Sequence, residues 1–166
     1  MTAPRVNAYI GLGSNLAGNL DSPAAQIESA LQQLAILPES HLSAISPRYR
    51  SLAIGPAQPD YINAVVCLQT SLPPLMLLNE LQDIEQAHAR VRLEHWGPRT
   101  LDLDLLVVGE ERCQGPSLTL PHAGTRDRNF VLWPLLEVAP GLWIPGTGYV
   151  QPLAAAAGSA GLVPVE

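Results

Sequence analysis

Two aspartates, Asp102 and Asp104, carry the strongest chemical signal in the chain. They sit in Leu101-Asp102-Leu103-Asp104-Leu105, where apolar and acidic residues alternate with the period of a strand. On such a strand the leucines point one way and the two carboxylates the other, about 6.7 Å apart at ~3.3 Å rise per residue. Carboxylates so placed repel by about 1 kcal/mol when well solvated and by up to about 3 at an effective dielectric of ~20. Aspartate is also a poor strand former. Either a solvated strand face happens to carry two acids, or the pair is kept for a hard cation. Mg²⁺ takes oxygen ligands, commonly one or two carboxylates together with substrate phosphates. Arg99, a fork-shaped phosphate donor just upstream, tilts the reading toward a metal–polyphosphate site.

The elements that must position this pair follow from the local pattern. Gly97-Pro98 marks a turn, and proline cannot donate to a sheet ladder, so the acidic strand begins after it. Val6 to Leu12 reads as a buried strand ending in a Gly13-Ser14-Asn15 turn. Ser22 caps a helix with Pro23 at its first position, and Ile27, Ala30, Leu31 and Leu34 form its apolar stripe to about Leu37. His41 to Arg50 reads as one strand, irregular at Pro47 and therefore at an edge. The stretch 51–59, with Gly55, Pro56 and Pro59, is a loop, either a plain connection or a lid over substrate. Asp60 to Thr70 is apolar on both faces and hence central. Asn63 is its odd member, an amide satisfied within the core or one that reads a ligand. Pro73-Pro74 opens a second helix, with Leu77, Leu78, Leu81 and Ile84 on one stripe, reaching about Arg90. Beyond the acidic strand come a turn at Gly109, a short strand over 117–120 and an apolar helix from Phe130 to Val138.

The order β-α-β-β-α-β through Val108 predicts an α+β fold, a ferredoxin-like split βαβ sandwich with both helices on one face. That plan lays the last strand antiparallel beside the first, which brings the Gly13-Ser14-Asn15 turn near Arg99 and Asp102. The chain is expected to be one domain. Its core covers about 6–108 and an extension 109–145. The tail 146–166, rich in Gly, Pro and Ala, is expected to be weakly ordered.

Composition narrows the chemistry. The 166 residues are 47% hydrophobic and 14% charged, which suits a buried core and excludes wholesale disorder. Net charge −6 argues against a nucleic-acid surface, and no apolar run approaches the ~20 residues of a membrane span. Cys67 and Cys113 form neither a disulfide framework nor a zinc spacing, so a reducing cytoplasm is the expected compartment. All nine cations are arginine, and six of them (Arg90, Arg92, Arg99, Arg112, Arg126 and Arg128) fall between 90 and 128. Without lysine the chain is no P-loop enzyme, despite Gly11 and Gly13. An arginine-rich segment in an acidic protein suits a local anion.

Arg90-Val91-Arg92 followed by Gly97-Pro98-Arg99-Thr100-Leu101-Asp102-Leu103-Asp104 resembles the signature of the 6-hydroxymethyl-7,8-dihydropterin pyrophosphokinases. Further matches lie at Tyr9-Ile10-Gly11-Leu12-Gly13-Ser14-Asn15, Gln58-Pro59-Asp60-Tyr61-Ile62-Asn63, Pro121-His122 and Arg128-Asn129-Phe130, collinear over about residues 6–140. The resemblance implies a folate-pathway enzyme of elaborated ferredoxin-like fold. It transfers the β,γ-pyrophosphoryl group of ATP to the pterin hydroxymethyl oxygen, releases AMP and uses two Mg²⁺ ions. By the same resemblance, Asp102 and Asp104 hold the metals, and Arg90 and Arg99 clamp phosphate beside them as catalytic residues. Glu85, Trp96, His122 and Arg128 join Arg90 and Arg99 around ATP. The pterin is met by Ser51, Leu52, Ile54, Tyr61, Asn63, Trp96, Asp102 and Phe130. ATP and the hydroxymethyl-dihydropterin are then the partners, with no nucleic acid, no membrane and a monomeric chain. The chain departs from the family pattern at 92–97, a residue short and carrying His95 where a permanent cation is common. It departs again after His122, where Ala123-Gly124 follow. Phosphodiester hydrolysis by a metal site and ligand sensing by a non-catalytic module are the competing readings. Product analysis separates all three.

Overall fold

A computed structural model of the chain describes residues 4–17, 20–52, 59–88 and 100–165. Strand β1 (Val6–Ser14) includes Gly13 and Ser14, which the local pattern puts in a turn. Pairing on both sides carries the strand further, with Gly13 opposite Asn63 and opposite Asp102. Helix α1 (Pro23–Ala35) starts where the cap predicts, the Ser22 hydroxyl accepting from the Ala25 N–H at 3.1 Å. It buries Ile27, Ala30, Leu31 and Leu34.

The single strand expected over 41–50 is two, β2 (Ser40–Ile45) and β3 (Arg48–Ser51). Pro47 has no N–H to offer a ladder, and Ser46 turns inward between them. Its N–H donates to the Val65 carbonyl and its hydroxyl accepts from the Val65 N–H, both at 2.9 Å. Both strands pair with β4 (Tyr61–Thr70), whose apolar run is buried on both faces as expected of a central strand. Helix α2 (Pro74–His88) buries Leu77, Leu81 and Ile84 and leads toward β5 (Asp102–Val108).

Two short ribbons and two helices complete the chain. Strand β6 (Cys113–Gln114) pairs with β7 (Thr119–Leu120), a 3-10 turn spans Ala123–Thr125, and α3 (Asn129–Val138) follows. Strand β8 (Trp143–Ile144) pairs with β9 (Gly148–Tyr149), then come α4 (Val150–Ala157) and β10 (Leu162–Val165). The tail expected to be weakly ordered over 146–166 is therefore structured through Val165. Val150 and Ala154 of α4 are buried in the same cluster as Val131, Leu132 and Leu135 of α3. The indole N–H of Trp133 donates to the Gly158 carbonyl at 2.8 Å. Small residues gave no stripe to read in the sequence, but smallness is what lets α4 approach α3.

The main sheet runs β10-β3-β4-β1-β5, with β2 also on β4, and every pair is antiparallel. The fold is thus mixed α and β, built on an antiparallel sheet with four helices among the described residues, and β5 lies beside β1 as anticipated. Helices α1 and α2 pack on one face with Ile10, Leu12, Ala64, Leu103 and Leu105. Helices α3 and α4 cover part of the other, with Tyr9, Val65, Cys67 and Leu106. No described helix is long and apolar enough to cross a membrane.

Candidate active site

The alternation around the acidic pair is realised in the fold. Leu103 and Leu105 keep 4% and 2% of their surface, whereas the Asp104 side chain keeps 45%. Because the leucines face α1 and α2, the two carboxylates face the α3 side of the sheet. Their neighbours across the ladder are glycines: Asp102 stands opposite Gly13, and Asp104 opposite Gly11. Next in the same row, Gly13 stands opposite Asn63, and Asn63 opposite Tyr49. With no side chain between them, the carboxylates on β5 and the amide on β4 look across an open floor.

That floor is the base of a cleft of about 970 Å³, at the upper end of the range usual for small-molecule sites. Asp102 and Asp104 line one end. Ser51, Leu52, Tyr61 and Asn63 line another, and Arg128 and Phe130 reach in from the start of α3. Eight residues singled out in the sequence therefore meet in one cavity. Asn63 is oriented within it: the Ser51 hydroxyl donates to its Oδ1 at 2.6 Å, which leaves Nδ2 to donate elsewhere. A Cβ on Gly13 would stand 3.1 Å from that Nδ2, so glycine makes room for the amide.

Two further residues, His122 and Glu85, are placed at the margin, and Arg128 has contacts of its own. His122 Nδ1 accepts from the Gly124 N–H at 3.0 Å, which puts the proton of a neutral ring on Nε2, 3.9 Å from Asp104 Oδ1. Arg128 caps α3, with its guanidinium 5.9 Å from the centre of the Phe130 ring. A Cβ on Gly124 would fall 2.7 Å from that guanidinium, so a side chain there would displace the tip of Arg128. Glu85 has a visible structural task. Strand β5 ends the sheet, and the Glu85 carboxylate accepts from the Leu103 N–H on that edge at 2.9 Å, between the two aspartates. The His122 N–H likewise donates to the Leu106 carbonyl at 2.8 Å. Both contacts pin the strand that carries the acids. Ile54, Arg90, Trp96 and Arg99, and with them His95, lie outside the described residues.

The donor set fits a hard divalent cation. Two carboxylates stand i, i+2 on one open strand face, over glycines, beside a cavity large enough for a polyphosphate. Among the described residues no third His, Cys, Asp or Glu closes a cage around them. Oxygen ligands supplied by substrate would complete such a site.

The profile of the 7,8-dihydro-6-hydroxymethylpterin-pyrophosphokinases matches residues 9–140. The chain belongs to this family. A 2-amino-4-hydroxy-6-hydroxymethyldihydropteridine pyrophosphokinase of Haemophilus influenzae is 46% identical over 149 residues, covering 89% of this chain and 91% of its own. A protein of the same description from Pseudomonas aeruginosa is 48% identical over 149 residues, covering 89% and 90%. Among solved structures, a variant of Plasmodium falciparum HPPK-DHPS superposes with a TM-score of 0.68 at 13% identity. That match covers 93% of this chain but 46% of the Plasmodium chain, and it speaks for the fold alone.

Within the pyrophosphokinase match, Gly11 was legible only as a residue of the first strand and Gly13 only as part of the turn after it. The available signal was their i, i+2 spacing, the same as that of the aspartates they face. Asn129, within the Arg128-Asn129-Phe130 match but given no role there, also lines the cleft, as do Asp127, Ala160 and Gly161, to which nothing in the sequence pointed. The last two lie beyond the residues that the family profile matches.

Proposed function

We propose that this pyrophosphokinase moves the β,γ-diphosphoryl group of ATP onto the hydroxymethyl oxygen of 6-hydroxymethyl-7,8-dihydropterin, in folate biosynthesis. The hydroxymethyl oxygen forms a bond to the β-phosphorus, the α–β bridging bond breaks, AMP leaves and the hydroxyl proton is lost. The observation that carries this reading is the shared floor: carboxylates for a metal–phosphate complex and an oriented amide for a heterocycle, with Gly13 between Asp102 and Asn63. Asp102 and Asp104 would hold two Mg²⁺ ions. When bound, such ions would neutralise phosphate charge and stabilise the charge developing in the displacement at phosphorus.

The chain's own side chains divide the remaining work. Asn63 Nδ2 donates to an acceptor on the pterin edge, held in that orientation by Ser51. Tyr61 and Phe130 flank the ring, and Leu52 covers it from the end of β3. Arg128 and His122 meet phosphate oxygens, joined by Arg90 and Arg99, with Trp96 and Ile54 completing the enclosure and Glu85 fixing the acidic strand near ATP. The core reads as the ferredoxin-like split βαβ arrangement. Support comes from β4 separating β1 from the strands that follow α1, and from β5 on the far side of β1. Every group in this reading comes from one chain, which suits a monomer, and the free thiols of Cys67 and Cys113 suit the cytoplasm.

Substitution of each acid tests it. Asp102→Asn and Asp104→Asn should each lower pterin-dependent AMP formation about a hundredfold or more, ~2.7 kcal/mol of barrier, with melting temperature little changed. Undiminished turnover in both would remove the metal assignment. A phosphodiester hydrolase would release a hydrolysed ester instead of AMP and a pterin diphosphate.

A further inference from the structure

Four contacts tie the C-terminal segment to both sides of the pterin end of the cleft. The Asn129 side-chain amide donates to the Ala160 carbonyl at 2.9 Å, from the position next to Phe130. One turn further along α3, the Trp133 indole donates to the Gly158 carbonyl at 2.8 Å. On the other side, β10 pairs with β3, Leu162 opposite Ser51, and the Leu52 N–H donates to the Gly161 carbonyl at 3.4 Å. Between these ties, Ala160 and Gly161 form part of the cleft wall itself.

We infer that residues 158–165 are a positioning strap for the pterin pocket. Resting on the reading proposed above, the inference says which part of the chain sets affinity for the second substrate. The physical chain is short. Strand β3 would otherwise be the outer strand of the sheet, and its last residue, Ser51, is the donor that orients Asn63. Pairing with β10 fixes the backbone of Ser51, Ser51 fixes the amide, and the amide presents Nδ2 to the cleft. The same strap is bonded to α3 beside Phe130, so the amide edge and the aromatic wall are held at a set separation. A wall that keeps its spacing costs the ligand less ordering on binding. The acidic pair on β5 lies across the sheet from the strap, with β3, β4 and β1 between. Nucleotide binding, resting chiefly on that pair, should therefore change little, although Arg128 is next to the strap's contact at Asn129.

Two full-length variants test the strap from different sides. Trp133→Phe removes the donor to Gly158 while keeping an aromatic ring in the α3–α4 cluster. Gly158→Val acts at the hinge, where φ is +72° and ψ 174°, a conformation that is essentially glycine's own, and a Cβ there meets nothing within 4 Å. Each should raise the KM for the hydroxymethyl-dihydropterin severalfold, with kcat at saturating pterin and the KM for ATP within about twofold of wild type. Unchanged pterin KM in both variants would overturn the inference, and so would proportional losses in kcat and both KM values. If one variant fails to fold, the other decides. Wild-type AMP formation, measured alongside, keeps a failure of the strap distinct from a failure of the assigned reaction.

Discussion

Gly13→Ala separates the site from the fold by costing pterin affinity more than stability. The added Cβ would stand 3.1 Å from Asn63 Nδ2 and 3.8 Å from Tyr61 Cδ1, with no other described atom within 4 Å, so Asp102 is untouched. Asn63 must then yield by a few tenths of an ångström. It is 6% exposed, and its Oδ1 is held at 2.6 Å by Ser51, so yielding turns Nδ2 away from its acceptor. Losing one neutral hydrogen bond to a ligand costs about 0.5–1.5 kcal/mol, a roughly 2- to 13-fold loss of pterin affinity. The fold should change less. Gly13 does not have a positive φ, so the alanine restricts the unfolded chain by about 0.4–1 kcal/mol, which offsets the shift asked of Asn63. Fluorescence titration with the hydroxymethyl-dihydropterin, in the presence of Mg²⁺ and a non-hydrolysable ATP analogue, reads the first effect. Urea unfolding reads the second. Wild-type pterin affinity in a folded Gly13→Ala protein would refute the role given to the glycine floor.

Phe130→Ala should weaken pterin binding by about 2- to 13-fold or more, on the ~0.5–1.5 kcal/mol typical of aromatic pairing beyond area burial, and leave nucleotide affinity alone. Calorimetry with each ligand checks this, and an equal loss for both would make Phe130 a packing residue. Glu85→Ala leaves the Leu103 N–H without its carboxylate acceptor and should cost about 1–3 kcal/mol in unfolding experiments. A variant as stable as wild type would show that the edge of β5 needs no such pin. Burial, and a hydrogen bond donated to Glu137, push the Tyr49 phenol from 10.0 up to about 12. Burial beside Cys67 does the same for Tyr9. A raised folded value favours the protonated fold, so this contribution is full below pH 10 and is lost as pH rises to about 12. Tyr49→Phe should flatten part of the alkaline loss, and a stability profile identical to wild type over that range would contradict it.

The sequence made the acidic strand legible because alternation is local: five consecutive residues state which way Asp102 and Asp104 point. Helix α1 was legible for the same reason, from Ser22, Pro23 and its stripe. Partnership across the sheet was not. Gly11 and Gly13 face residues some ninety positions away, and register between distant strands leaves no mark on either one alone. Glu85 escaped as an anchor because it bonds to a backbone N–H, which carries no side-chain identity. Pro47 announced an irregularity, but the break at Ser46 depends on hydrogen bonds to Val65. The C-terminal segment was misjudged from composition, since alanines that dock closely on α3 and alanines in a loose tail spell the same letters. Family resemblance supplied roles for Asn63, His122 and Phe130; Asn63 and Phe130 line the cleft, and His122 stands beside Asp104 at its margin.

The most direct test of the central claim is the fate of the nucleotide. Purified protein should be incubated with ATP, Mg²⁺ and 6-hydroxymethyl-7,8-dihydropterin, and the products separated and counted. The account predicts one AMP and one pterin diphosphate for each ATP consumed, and no AMP when the pterin is left out. ADP with a pterin monophosphate, or AMP released equally without pterin, would contradict it.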